Sequence, residues 1–220
     1  MLLILTDDRS FYPKDLIQIP RFYPILDTEV AARHGLNPLD TAAHLLDCGA
    51  RILQFRHKGS FTRDVFIEME RIAQLCAQVK ARFVVNDRAD IACLLGAALH
   101  LGQEDLTPSQ ARRVTGESAV IGYSTHNAQQ LTAAATEPAD YLALGPIFAT
   151  ASKANPDPLV GLDGLRRWRT LTDRPLIAIG GITRANALSV LEAGADSVAV
   201  IGDLFPDVRA RAAEFLKITR

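Results

Sequence analysis

Two cationic side chains close a short aliphatic run in the segment Gln54-Phe55-Arg56-His57-Lys58. Side chains alternate between the two faces of a strand, so Gln54, Arg56 and Lys58 share one face. Cations that face a protein interior need an anion to offset their desolvation. A phosphate or diphosphate suits the pattern, because Arg binds it bidentately and Lys as a point charge. An ion pair with a neighbouring strand is the structural alternative.

Two carboxylates follow the next two aliphatic runs. Asp87 ends one run, and Asp105 lies shortly beyond the other. On adjacent strands, both carboxylates would converge beside the two cations. A pair of carboxylates next to a polyphosphate commonly holds Mg²⁺, which keeps several waters and takes its other ligands from substrate oxygens. The pair therefore predicts Mg²⁺ as the cofactor, and N-capping of the following helices is the structural alternative.

Hydroxyl groups mark two further run ends. Ser124 precedes His126, where the hydroxyl can hydrogen-bond a substrate and the imidazole is the one best placed for proton transfer. Neither residue belongs to a Ser/His/Asp hydrolase motif or a nucleophile elbow. Thr150 and Lys153 lie in the irregular stretch 148–161, whose length and prolines predict a lid that orders when diphosphate binds.

Glycine ends the last two aliphatic runs, at Gly180-Gly181 and at Gly202. Without a Cβ, glycine lets backbone amides approach an anion closely. The loops after the seventh and eighth strands of a (β/α)8 barrel are a frequent phosphate site. These glycines therefore predict a second anion-binding half, built mainly from main chain.

The elements that must position these residues alternate from residue 22 onward. The predicted strands are Phe22–Asp27, Arg51–Arg56, Arg82–Asp87, Ala98–Gly102, Ala119–Ser124, Tyr141–Gly145, Pro175–Gly180 and Ser197–Ile201. The predicted helices are 38–49, 61–80, 88–95, 108–114, 126–136, 161–172, 184–194 and 204–217. Eight strand–helix units predict an α/β protein with a single (β/α)8 TIM barrel over 22–220, and an open doubly wound sheet is the alternative. Residues 1–21 stand outside the units as an N-terminal extension.

The composition is that of a compact soluble protein, 48% hydrophobic and 22% charged, with a formal net charge of −1. No overall basic field is present to attract nucleic acid or an acidic membrane surface. No apolar run approaches the roughly 20 residues that span a bilayer. The three cysteines are widely spaced and form no disulfide framework, which predicts reduced thiols and a cytoplasmic location.

A series of motifs occurs along the chain in a recognisable order. They are Gln54-x-Arg56-x-Lys58, Asn86-Asp87-Arg88, His100-Leu101-Gly102-Gln103-Glu104-Asp105, Gly145-Pro146-Ile147-Phe148, Lys153, Ala178-Ile179-Gly180-Gly181-Ile182 and Gly194-Ala195-Asp196. With them, residues 22–216 resemble the thiamine phosphate synthase family. The glycine pair alone is shared by many phosphate-binding barrels, whereas the whole set is specific.

The resemblance implies an Mg²⁺-dependent transferase of thiamine biosynthesis. It would join 4-amino-2-methyl-5-(diphosphooxymethyl)pyrimidine to a thiazole phosphate, giving thiamine phosphate and diphosphate. Its partners would be these two small-molecule substrates and, in a homo-oligomer, further copies of the chain.

The resemblance also implies residue roles. The metal ligands would be Asp87 and Asp105. The catalytic residues would be Arg56, Lys58, Ser124 and Lys153. Contacts to the pyrimidine diphosphate would come from Gln54, Arg56, Lys58, Asn86, Ser124 and Lys153. Contacts to the thiazole phosphate would come from Thr150, Ala151, Ser152, Gly181, Ile201 and Gly202.

Three positions depart from the family pattern. His57 stands where the family usually has Glu, Ser152 where a second Thr is common, and Gly202 where Ser is frequent. The last exchange keeps the backbone amide but removes a hydroxyl from the phosphate half. Two other functions stay open: a thiazole tautomerase of the same superfamily, with His126 as its proton carrier, and a non-catalytic phosphate-binding barrel.

Overall fold

In the computed structural model, which describes residues 18–150 and 157–220, eight parallel strands form a closed barrel in sequence order. The strands are β1 (Phe22–Asp27), β2 (Ile52–Arg56), β3 (Arg82–Asn86), β4 (Ala98–Leu101), β5 (Ile121–Thr125), β6 (Tyr141–Leu144), β7 (Leu176–Ile179) and β8 (Ser197–Val200). β8 closes the barrel against β1, with Phe22 opposite Val198 and Pro24 opposite Val200. The predicted (β/α)8 barrel is confirmed, and the open doubly wound sheet is wrong.

Helices connect the strands on the outside of the barrel. They are α1 (Thr28–Arg33), α2 (Pro38–Asp47), α3 (Arg63–Gln78), α4 (Ala89–Leu95), α5 (Pro108–Thr115), α6 (Ala128–Ala133), α7 (Gly161–Trp168), α8 (Ala187–Glu192) and α9 (Val208–Ile218). Short 3₁₀ helices extend α6 and α7, and a third one, Gly202–Leu204, follows β8. Within the described residues, no helix combines the length and the apolarity needed to cross a membrane.

The short helix α1 is the element that the sequence pattern does not predict. The carboxylate of Asp27 caps it by accepting the backbone N–H groups of Glu29 at 3.1 Å and Val30 at 2.9 Å. Such a cap satisfies N–H groups that have no partner within the helix. The last residue of β1 is therefore also the N-cap of the next helix.

Strand alternation separates an outer core from an inner one. Leu53 and Phe55 face outward and pack in the layer between barrel and helices. The inner cluster consists of Ile19, Tyr23, Ile25, Ile52, Val84, Ala98, Val120, Tyr141, Ala143, Ile177 and Ala199. Toward the carboxyl ends of the strands, the same inward faces continue as polar residues, namely Gln54, Asn86, His100 and Ser124. This polar layer forms the floor of the candidate site.

The predicted N-terminal extension is described only from residue 18. Ile19 is 9% exposed and belongs to the inner cluster. The Ser197 hydroxyl donates to the Pro20 carbonyl at 2.6 Å, and the Val198 N–H donates to the Arg21 carbonyl at 2.9 Å. Residues 18–21 are therefore attached to β8, while residues 1–17 lie outside the described part.

Gly122 makes room for a tyrosine inside the barrel. A Cβ at this position would lie 2.0 Å from Cζ of Tyr141, which is fully buried. We expect Gly122→Ala to lower the free energy of unfolding by about 1–3 kcal/mol, as overpacked cores do, measured by urea denaturation. Gly202→Ala is the matched control, because a Cβ there meets nothing within 4 Å. An equal loss of stability in both variants would contradict this assignment.

Candidate active site

Gln54 faces the barrel axis, as strand alternation predicts. Its side chain is nearly completely buried, and its Nε2 donates to the Tyr23 hydroxyl at 3.0 Å. His57 faces the other way, with its ring nitrogens 2.8 Å from the Thr28 hydroxyl and 3.2 Å from the Ser60 carbonyl. The exchange at residue 57 therefore lies outside the polar layer.

Arg56 has a protein carboxylate as its partner. It lies directly opposite Asp27 of β1, and its guanidinium forms a salt bridge with that side chain. Asp27 is only 2% exposed. The structural alternative considered for Arg56, an ion pair with a neighbouring strand, is thus what the structure shows. A contact to diphosphate would use the guanidinium N–H groups that Asp27 does not occupy.

Lys58, Asp87 and Asp105 meet at the rim above β2, β3 and β4. Lys58 Nζ lies 2.5 Å from Asp87 Oδ2, and Asp105 Oδ2 accepts the Gly102 N–H at 2.7 Å. Burial raises the pKa of Asp105, and a hydrogen bond to Asp87 and the negative charge of Asp87 raise it further. The predicted convergence of the two carboxylates is confirmed.

The backbone holds Asp87 in an unusual conformation. Its φ is 65°, in the left-handed region that Asp and Asn tolerate better than other side chains. Its N–H donates to the His100 carbonyl of the neighbouring strand at 2.8 Å. The conformation turns the Asp87 carboxylate toward Lys58 rather than onto the following helix, so the N-cap alternative is wrong for Asp87.

The carboxylate pair fits a divalent cation. Asp87 and Asp105 are two like charges in a partly buried site, and the half-exposed Lys58 balances one of them. Additional positive charge would therefore stabilise the pair. Among the described residues, no group of three or more His, Cys, Asp or Glu side chains forms a complete metal site. Asp87 and Asp105 would therefore hold Mg²⁺ only together with oxygen ligands from water or substrate.

Ser124 belongs to the polar layer, but His126 does not. The Ser124 hydroxyl lies 2.9 Å from Nε2 of His100. His126 Nδ1 lies 2.7 Å from the Gly145 carbonyl and 3.6 Å from a carboxylate oxygen of Asp157. The histidine that contacts the predicted substrate-binding serine is thus His100. Strand alternation alone could have found it, because His100 shares the inward face of β4 with Ala98.

Packing between loops requires glycine at 180 and 181, whatever ligand binds there. A Cβ on Gly180 would lie 2.6 Å from Pro146, and one on Gly181 would lie 2.4 Å from the Ala149 carbonyl oxygen. Both glycines also have positive φ, 96° and 62°. A larger residue at 181 would therefore displace the loop after β6 as well as act on a bound phosphate.

The remaining predicted contacts lie at the ends of β3, β6 and β8. Asn86 is half-buried in the polar layer, and its side chain has no hydrogen-bond partner among the described residues. Thr150 is half-buried after β6, Ile201 is half-buried after β8, and Gly202 is exposed. Part of the predicted lid, the stretch 151–156, lies outside the described residues. It contains three predicted site residues, Ala151, Ser152 and Lys153.

These features define a class of protein. A closed (β/α)8 barrel with cations, a carboxylate pair and inward polar side chains at the carboxyl ends of its strands is a barrel enzyme that acts on a charged small molecule.

Comparisons with known proteins give the family. The family model described as thiamine monophosphate synthase matches residues 22–204. The thiamine-phosphate synthase of Koribacter versatilis is 47% identical over 208 residues, which are 92% of this chain and 97% of that protein. The thiamine-phosphate synthase of Methanospirillum hungatei is 39% identical over 194 residues, 87% and 94% of the two chains. A solved thiamine phosphate pyrophosphorylase from Pyrococcus furiosus has a TM-score of 0.81 at 31% identity, covering 90% of this chain and 95% of that one. The chain belongs to the thiamine monophosphate synthase family.

Proposed function

We propose that the chain condenses 4-amino-2-methyl-5-(diphosphooxymethyl)pyrimidine with a thiazole phosphate to give thiamine phosphate and diphosphate. The transferase activity follows from relatives that carry this name over nearly the whole chain. The observation that supports the site assignment is the meeting of Lys58, Asp87 and Asp105 at one point of the rim. A lysine beside two carboxylates is suited to a metal-bound diphosphate.

The reaction needs charge stabilisation rather than a protein nucleophile. The bond between the pyrimidine methylene carbon and the diphosphate oxygen breaks, and the electron pair leaves with diphosphate. Lys58, Lys153 and the remaining N–H groups of Arg56 would bind that leaving group. The aminopyrimidine ring delocalises the positive charge on the methylene carbon, and the thiazole nitrogen forms the new C–N bond. A Mg²⁺ ion held by Asp87 and Asp105 would supply further positive charge beside the diphosphate.

The site favours the synthase over the tautomerase. A tautomerase would use a proton carrier such as His126, which lies outside the polar layer and whose Nδ1 is bound to the Gly145 carbonyl. That reaction involves no diphosphate, so it would not need Lys58 and the carboxylate pair to bind one. The test is diphosphate release from the purified chain with both substrates, with and without Mg²⁺. A folded protein that releases none, yet isomerises a thiazole carboxylate phosphate in a His126-dependent way, would establish the tautomerase.

Gly202 offers a test of the thiazole phosphate half. It begins the 3₁₀ helix after β8, where the first N–H groups have no partner within the helix, and a Cβ there would meet open space. We expect Gly202→Ser to bind the thiazole phosphate about tenfold more tightly, since a hydroxyl adds one hydrogen bond to a charged group. Isothermal titration calorimetry measures the effect. Gly202→Ala is the control, and equal affinities of the Ser and Ala variants would contradict the prediction.

The proposal also covers the cellular location and the assembly of the enzyme. Cys48, Cys76 and Cys93 are free thiols, which supports a reducing, cytoplasmic location. Assembly into a homo-oligomer stays a prediction.

A further inference from the structure

A chain of hydrogen bonds crosses the barrel interior and ends at two predicted substrate contacts. Gln54 Nε2 lies 3.0 Å from the Tyr23 hydroxyl, which lies 2.9 Å from the Tyr141 hydroxyl. The Tyr141 hydroxyl lies 3.2 Å from His100 Nδ1, and His100 Nε2 lies 2.9 Å from the Ser124 hydroxyl. The chain thus joins inward positions of five strands, from β2 through β1, β6 and β4 to β5.

Burial fixes the protonation states of the three inner residues of this hydrogen-bond chain. Tyr23 is 1% exposed, Tyr141 0% and His100 7%. Burial raises the pKa of Tyr23 to about 12 and that of Tyr141 well above its ordinary value. Near neutral pH, both hydroxyls therefore keep their protons, and burial favours the neutral form of the His100 imidazole.

The Gln54 amide at one end determines which way the hydrogen bonds of the chain point. An amide NH₂ group can only donate, so the Tyr23 oxygen accepts from Gln54. Within the described residues, the Tyr141 oxygen is then the acceptor left for the Tyr23 proton, and His100 Nδ1 is the acceptor left for the Tyr141 proton. A buried hydroxyl without an acceptor would cost about 1–3 kcal/mol. The neutral imidazole therefore carries its proton on Nε2 and donates it to the Ser124 oxygen.

We propose that Tyr23, Tyr141 and His100 are positioning residues that determine the hydrogen-bond polarity of the substrate site. This series of hydrogen bonds leaves the Ser124 O–H free to donate and the Gln54 carboxamide oxygen free to accept. The inference rests on the proposed function and deepens it, because it states which substituent of the pyrimidine the site selects.

A 4-aminopyrimidine has the complementary polarity. Its exocyclic amine donates to the Gln54 oxygen, and a ring nitrogen accepts from the Ser124 hydroxyl. A 4-oxopyrimidine in its lactam form offers a carbonyl acceptor and a ring N–H donor, which is the reverse. Sites built around buried hydrogen bonds reject such mismatched analogues strongly, because the protein groups are left unpaired.

The first experiment locates the proton on His100. Two-dimensional ¹H–¹⁵N correlation spectra of the full-length wild type, with the signals assigned by comparison with His100→Gln, are expected to show the proton on Nε2. A proton on Nδ1 would mean that the chain runs from Ser124 toward Gln54, and it would overturn the proposal. This measurement needs no substrate, so it decides the direction of the chain even if the wild type releases no diphosphate.

The second experiment interrupts the chain. Tyr141→Phe removes the hydroxyl that donates to His100, while Thr125→Val removes a buried hydroxyl that donates to the Ala143 carbonyl at 2.8 Å outside the chain. We expect Tyr141→Phe to reduce the preference in kcat/KM for the 4-amino over the 4-oxo pyrimidine diphosphate by about tenfold. It should raise KM for the pyrimidine substrate and leave KM for the thiazole phosphate unchanged.

The matched control separates a change in the hydrogen-bond polarity of the site from a general loss of stability. Thr125→Val should lose a similar amount of thermal stability and keep the substrate preference of the wild type. A folded Tyr141→Phe protein with an unchanged preference, or a Thr125→Val protein with the same loss of preference, would overturn the proposal. If Tyr141→Phe does not fold, the location of the proton on His100 remains the deciding result.

Discussion

Asp87→Asn should slow diphosphate release by about 10²–10³-fold, the usual effect of losing one electrostatic contact to a developing charge. The variant leaves one negative charge where Asp87 and Asp105 together offer two, so a hard divalent cation binds less well. Asn tolerates the left-handed φ of 65° that Asp87 adopts, and the backbone should therefore keep its conformation. The measurement is the initial rate of diphosphate release across a Mg²⁺ titration.

Two companion variants make this result specific. Asp105→Asn should have a similar effect, because an amide oxygen can still accept the Gly102 N–H while the charge is lost. Asp90→Asn is the control: Asp90 pairs with Arg88, and its side chain is 55% exposed. Thermal melting checks that each variant is folded. A folded Asp87→Asn protein with full turnover that does not depend on the metal would contradict the proposed mechanism.

Arg56→Gln should destabilise the fold by about 3 kcal/mol, because it leaves a buried carboxylate without its counter-ion. Asp27 is 2% exposed and forms its salt bridge with Arg56, while its backbone hydrogen bonds to α1 remain. Urea denaturation measures the loss. Unchanged stability of the single variant would show that Asp27 does not depend on Arg56.

The double variant Arg56→Gln with Asp27→Asn separates the two roles of the arginine. Asn caps a helix as well as Asp does, so α1 should persist, and most of the lost stability should return. Diphosphate release should nevertheless stay slow, since the guanidinium is still absent. A double variant that regains both stability and full rate would make the role of Arg56 purely structural.

The sequence by itself determined where the strands lie and which way their side chains point. β1 has the predicted bounds Phe22–Asp27, and the bounds of the other seven strands agree within two residues. Alternation correctly placed Gln54 inward and His57 away from the axis. These features are local, because the period of two along a strand and the β-branched composition of each run do not depend on which strands become neighbours.

The tertiary structure alone decided which groups meet. Closure of β8 on β1 and the register of β1 against β2 place Asp27 beside Arg56, and neither pairing is encoded in the alternation of a single strand. In the same way, the tertiary structure places His100 Nδ1 beside the Tyr141 hydroxyl inside the barrel. It also packs the loop after β6 against Gly181. Alternation assigns a side chain to the inside or the outside, whereas its partner depends on strand stagger and barrel closure, which arise from contacts between residues far apart in the chain.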